Sequence, residues 1–233
     1  MQVRERFDRA LSELRDDILL MGSRVEQELR LALVALEKLD TDMAHEVFEA
    51  DKLVNRERFA IEEKCFMLIA TQQPAARDLR AIITATNMIV DLERMGDQAK
   101  GIAKVIPHLL KYPSQERPPE LKEMGVQVAT MLKQAMLAYA NNSIDVARMV
   151  AAQDDEVDEL YGKVFTQVMA QMAEFQNPDR VEAAYELLRA ARELERFGDL
   201  ATNIAERTIY LITGSMDEIN VDVDDAAEEP RGG

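Results

Sequence analysis

Tryptophan is absent from the 233 residues, cysteine occurs once and histidine only twice. A lone Cys65 excludes an internal disulfide framework, and one cysteine with two histidines excludes the usual zinc ligand sets. Cys65 sits in Cys65-Phe66-Met67-Leu68-Ile69-Ala70, a setting that suits a small buried hydrophobe better than a catalytic thiol. Glycine and proline are scarce, at 9 and 7, and aromatic residues make up 5%. Sandwiches and barrels use both glycine and proline freely in turns, so their scarcity argues for helices. Long apolar runs are missing too. Leu31 to Leu36, Cys65 to Ala70 and Ala135 to Ala140 each span six residues, whereas crossing a bilayer takes about 20. The opening Met1-Gln2-Val3-Arg4-Glu5-Arg6 leads into no apolar stretch, so no signal peptide is visible and a cytoplasmic protein without a membrane span is expected. Basic charge is in deficit: 28 Lys and Arg face 44 Asp and Glu, for a net charge of −16. A phosphate backbone would repel such a chain, which excludes nucleic acid as a partner.

What the chain does have is 47% apolar and 31% charged residues, the mixture of a folded, charge-coated protein. Turn signals are few. Asp40-Thr41, Gln73-Pro74, Pro107 with Tyr112-Pro113-Ser114, Pro118-Pro119, Asn141-Asn142-Ser143, Asn177-Pro178-Asp179 and Thr213-Gly214-Ser215 mark the breaks. Pro74 and Pro178 suit the first turn of a helix, and Asn177, Ser143 and Thr41 suit N-caps. Between the breaks lie six stretches of roughly 25 to 38 residues with apolar spacing of three and four. At ~1.5 Å per residue they make rods of about 40–55 Å, which pack as antiparallel bundles. An all-α fold of six long helices is expected. From 215 to 233 the chain is an acidic tail, expected to be disordered.

An internal repeat organises these helices. At an offset of 103, Met21-Gly22 falls on Met124-Gly125, Val25 on Val128, Leu29 on Leu132, Asp51 on Asp154 and Val54 on Val157. Past the second turn the offset becomes 102, and Leu92-Glu93-Arg94 falls on Leu194-Glu195-Arg196, with Gly96-Asp97 on Gly198-Asp199. Six helices thus divide into two tandem three-helix bundles, 1–112 and 118–214, joined by a proline-rich segment. A unit of about 100 residues is too long for a solenoid repeat.

The strongest match between the halves is Leu-Glu-Arg-x-Gly-Asp. Residues four apart share a helix face, so Glu93 with Asp97, and Glu195 with Asp199, each set two carboxylates side by side. Asn203 and Glu206 extend the second face, where the first copy has Gly101 and Lys104. The second helix of each half offers Asp51 with Asn55 and Asp154 with Asp158. Facing stripes of this kind form an all-oxygen site for hard cations such as Mg²⁺, Mn²⁺, Ca²⁺ or ferric iron, or else two solvated faces of an acidic protein. Met88, Leu92, Met95, Ala99, Ile102 and Ile106 read as the core side of that helix, leaving Glu93 and Asp97 accessible. Gly96 and Gly198, costly in mid-helix, are read as places where a neighbouring helix comes close. Only Asp42-Met43-Ala44-His45 approximates the Glu-x-x-His of di-iron bundles, while His108 follows Val105. No glycine-rich phosphate loop and no nucleophile with a base is present, so no enzyme is expected. The alternatives are a carboxylate-bridged metal enzyme and a passive helical scaffold.

With its twin Leu-Glu-Arg-x-Gly-Asp motifs the sequence resembles the PhoU family of phosphate-transport accessory and regulatory proteins over about residues 5–214. Asp51-Lys52-Leu53-Val54-Asn55, Gln73-Pro74-Ala75-Ala76-Arg77-Asp78-Leu79-Arg80, Asp154-Asp155-Glu156-Val157-Asp158 and Ala201-Thr202-Asn203-Ile204-Ala205-Glu206 carry the resemblance further. It implies two three-helix bundles with metal clusters on their faces, the metal being iron, manganese, magnesium or zinc without distinction. The ligands it implies are Asp51, Asn55, Glu93 and Asp97 in the first half, and Asp154, Asp158, Glu195, Asp199 and Asn203 in the second. Gly101 departs from the family pattern, which implies a smaller or weaker first cluster. The resemblance also implies a regulator that couples the ATPase subunit of the phosphate ABC transporter to a sensor histidine kinase and keeps phosphate-starvation genes off. Long helices with apolar residues on two faces add the expectation of a homodimer.

Overall fold

Caps and left-handed residues divide the chain into rods. In a computed structural model that describes residues 2–215, the helices are α1 (Gln2–Lys38), α2 (Thr41–Gln72), α3 (Ala76–Leu109), α4 (Pro119–Asn141), α5 (Ile144–Ala151), α6 (Asp154–Glu174) and α7 (Pro178–Thr213), with no strand among the described residues. The acidic tail, from Met216 onward, lies outside the described residues. Leu39 and Asn142, 103 positions apart, both turn left-handed (φ 54° and 49°) after their helices. The next residue then caps the following helix. Asp40 accepts from the amides of Asp42 and Met43, and Ser143 from that of Val146. Thr41 is therefore the first residue of α2 rather than its cap. Asn177 caps α7 with Pro178 at the first position, as expected. Pro74 instead lies in the loop ahead of α3, and α3 runs through Pro107 to Leu109.

The fifth rod is divided. Ala152 and Gln153 break it into α5 and α6, with no glycine or proline to announce the break. Asp154, Asp155 and Glu156 crowd the first turn of α6, where carboxylates are stabilised by the positive end of the helix. Gln153 is tied to Gln134 of α4 by a 2.9 Å hydrogen bond. The first half has a single acid, Asp51, at this point and its helix continues unbroken.

The halves meet along α1 with α4 and α3 with α7, and the contacts obey a pseudo-twofold. A Cβ on Gly22 would meet Met136 Cε at 2.5 Å, and one on Gly125 would meet Leu33 Cδ2 at 2.7 Å. An offset of 103 converts each pair into the other. The ends of the seam repeat the pattern. Arg117 donates to the carbonyls of Leu36 and Glu37, and Arg15 to those of Tyr139 and Ala140, so each half closes a helix C-terminus of the other. Midway, Arg207 of α7 pairs with the buried Asp91 of α3. Gly101 leaves room for Glu193, whose Cδ would lie 2.6 Å from an added Cβ. One apolar cluster runs from Phe7 through Met88, Leu92, Met95, Val128 and Leu132 to Ala205, so the two three-helix units share a core.

Candidate functional site

In the first half, α2 and α3 pack together and bring Asp51 toward the Glu93 and Asp97 face, with a cation already between them. Lys100 Nζ lies 2.6 Å from Asp51 Oδ2 and 3.7 Å from Asp97 Oδ1. Asp51 is almost wholly buried, while Asp97 is exposed. Asn55 turns back on its own helix, its amide donating to the Asp51 carbonyl at 3.1 Å. Burial, with Asp97 beside it, raises the Glu93 carboxyl above the usual range. The core side of α3 is the one expected: Met88, Leu92, Met95, Ala99, Ile102 and Ile106 are all fully buried.

Glu28 of α1 joins this cluster, and the sequence reading missed it. It is 1% exposed and neither carboxylate oxygen has a hydrogen-bond partner. Burial first, and then the Asp51 charge, push its carboxyl up to about 9. A Cβ on Gly96 would lie 3.2 Å from Glu28 Oε2, 3.5 Å from Val54 Cγ1 and 3.8 Å from Asp51 Oδ1. Gly96 therefore admits side chains of both neighbouring helices, which is the close approach read from the sequence. The available signal was a charge in the apolar series Met21, Val25, Glu28, Ala32, Ala35.

The second half keeps the carboxylates and drops the other two groups. Met131 stands at the counterpart of Glu28, and Thr202 at that of Lys100. Asp154 begins α6 rather than lying inside a helix as Asp51 does. Burial and then the Asp158 charge raise the Asp199 carboxyl. Burial and then the Asp199 charge raise that of Glu195. Glu195 pairs with Arg192 at 2.6 Å, but its Oε2 is buried without a hydrogen-bond partner. Asn203 follows one turn beyond Asp199 on the same face. At Gly198 an added Cβ would make ordinary contacts, 3.5 Å to Asp154 Oδ1 and 3.6 Å to Val128 and Val157.

Among the described residues, no three carboxylates, histidines or cysteines converge at metal-binding geometry. The two halves differ in how well their donors suit a cation. In the first, Lys100 supplies the positive charge, and a metal would have to displace it. In the second, Arg192 pairs with Glu195 at 2.6 Å, while the nearby carboxylates Asp158 and Asp199 raise one another's charge cost. His45 packs edge-on against Phe48, and His108 meets Glu182 at 2.8 Å, so neither joins the acidic faces.

Known proteins match the chain along nearly its whole length. The family described as the PhoU domain matches twice, over residues 18–106 and 121–208. The "phosphate-specific transport system accessory protein PhoU homolog" of Clostridium acetobutylicum is 38% identical over 218 residues, covering 93% of this chain and 99% of that protein. The protein of that name, PhoU, from Escherichia coli (strain K12) is 35% identical over 210 residues, covering 89% and 86%. The crystal structure of the phosphate transport system regulatory protein PhoU from Streptococcus pneumoniae superposes with a TM-score of 0.84 at 32% identity, covering 91% of this chain and 99% of that one. That of PhoU from Pseudomonas aeruginosa gives 0.83 at 36% identity, covering 90% and 100%.

Proposed function

The chain belongs to the PhoU family, whose members are accessory and regulatory proteins of phosphate transport, and from that premise we propose that it is a cytoplasmic, non-enzymatic adaptor. It associates with the ATPase subunit of the phosphate ABC transporter and with a sensor histidine kinase, modulates uptake and keeps the starvation response off when phosphate is plentiful. The observation that carries this reading is the doubled three-helix unit, matched over 218 residues by a relative named for that transport system. No described helix is long and apolar enough to cross a membrane, so in this reading contact with the membrane is made through the transporter. Co-purification of the tagged full chain with each partner tests the two contacts separately. Recovery of neither the ATPase subunit nor the kinase from phosphate-replete cells would overturn the adaptor.

The metal belongs to the same proposal and rests on the second half. Asp154, Asp158, Glu195, Asp199 and Asn203 would hold a hard cation, whose charge turns the repulsion among the carboxylates into attraction. Asp51, Asn55, Glu93 and Asp97 form the weaker site, since Lys100 competes for the same oxygens. Elemental analysis of protein purified without chelator should find metal. Asp199→Ala should lose more of it than Asp97→Ala, and equal content in both variants and the wild type would sink the assignment.

A further inference from the structure

At one end of the seam between the halves lies a cleft of about 640 Å³ whose walls come from α1, α3, α4 and α7. Arg4, Arg15, Arg77 and Arg80 line it together with one acid, Asp78. Such a concentration of cations is unexpected on a chain of net charge −16, because a basic cleft in an acidic surface focuses potential onto itself. Part of this charge is engaged. Arg4 pairs with Asp78 at 2.6 Å and with Asp8 at 3.0 Å. Arg15 closes the C-terminus of α4 through one terminal nitrogen, and Arg80 donates its Nε to the Leu211 carbonyl at 3.2 Å. A guanidinium carries five N–H donors. Arg15 and Arg80 therefore keep donors for a ligand, and Arg77, exposed at the rim, keeps all of its own among the described residues. The cleft also includes the first turn of α3, whose cap residue Ala75 gives no side-chain hydrogen bond.

The opposite end of the seam holds a different cavity, of about 300 Å³ between α1 and α4, lined by Leu33, Leu36, Pro118, Pro119 and Val126. There Arg117 performs the same carbonyl closure as Arg15, with Lys122 paired to Glu37 at 2.7 Å. Closing the helix ends thus accounts for one arginine at each end of the seam. It does not account for Arg77 and Arg80: at an offset of 102 the second half has Asp179 and Glu182 in their places, with Arg180 in that of Asp78.

We propose that the arginine cleft binds the phosphoryl group of a small anion, either free phosphate or the phosphate of a nucleotide. Planar guanidinium forks match phosphoryl oxygens in pairs. Because its walls come from both halves, an occupant would tie the first half to the second. The site is separate from the acidic faces and independent of the adaptor reading.

Titration calorimetry of the full chain with inorganic phosphate, and separately with ATP, tests it against sodium chloride of matched ionic strength. Saturable binding of one or both is expected, and which one saturates identifies the source of the phosphoryl group. Arg77→Glu should weaken that binding at least tenfold, because Arg77 is exposed and can be reversed without disturbing the core. Lys122→Glu at the opposite end should leave it unchanged, and circular dichroism checks that both variants fold. Absence of saturation by either anion, or binding that survives Arg77→Glu, would overturn the site.

Discussion

Glu28 holds a proton that the unfolded chain gives up. An exposed glutamate ionises near pH 4.3, whereas burial and Asp51 carry this one to about 9. Between those values the folded state binds more protons than the unfolded one, so stability falls as pH rises and levels off above about 9. Glu28→Gln imitates the protonated form. Denaturant unfolding at pH 5, 7 and 9 should show the variant more stable than wild type at pH 9, with a shallower slope between. An unchanged slope would mean that Glu28 is ionised in the fold. Lys100 is the complementary case. Lys100→Met leaves Asp51 buried without its partner and should cost about 1–3 kcal/mol at neutral pH. Of the residues around the acidic faces, the carboxylates were legible because they repeat at spacing four. Glu28 and Lys100 were not, since each occurs in one half only and the repeat was the guide.

Helices are where sequence and structure agree most closely, and their ends explain the exceptions. The long rods follow from apolar spacing and from caps such as Asn177 and Ser143. Ser143→Ala removes the acceptor for Val146 and should lower stability by about 1 kcal/mol, read as a lower midpoint in urea. The break at Ala152-Gln153 left no sign, because it comes from three acids entering the next turn and not from a helix-breaking residue. Gly162 offers the opposite test. It lies inside α6 and an added Cβ there would meet nothing within 4 Å. Gly162→Ala should therefore stabilise by about 0.5–1 kcal/mol, reporting helix propensity alone. A loss of stability would mean that a contact outside the described residues covers this site.

At the scale of the whole molecule, the halves bury each other's α1, α3, α4 and α7, which takes up much of the apolar surface that suggested a homodimer. Exposed apolar residues remain on several helices, among them Val126 and Leu137 of α4, and on α2 and α6 they include Phe59, Phe66, Phe165 and Met169, Phe66 by 69%. If these faces form a dimer, sedimentation at micromolar concentration should give twice the 26.4 kDa chain mass, and Phe66→Ser should return it to monomer. The pairing of the halves was legible as a repeat. The arginine cleft was not, since Arg4, Arg15, Arg77 and Arg80 are scattered in sequence and meet only through the seam. The adaptor role itself is tested most directly by deleting the gene and assaying alkaline phosphatase in phosphate-rich medium. The account predicts high phosphatase output in the deletion strain, returned to the repressed level by the wild-type chain supplied in trans. Output that stays repressed without the gene would contradict it.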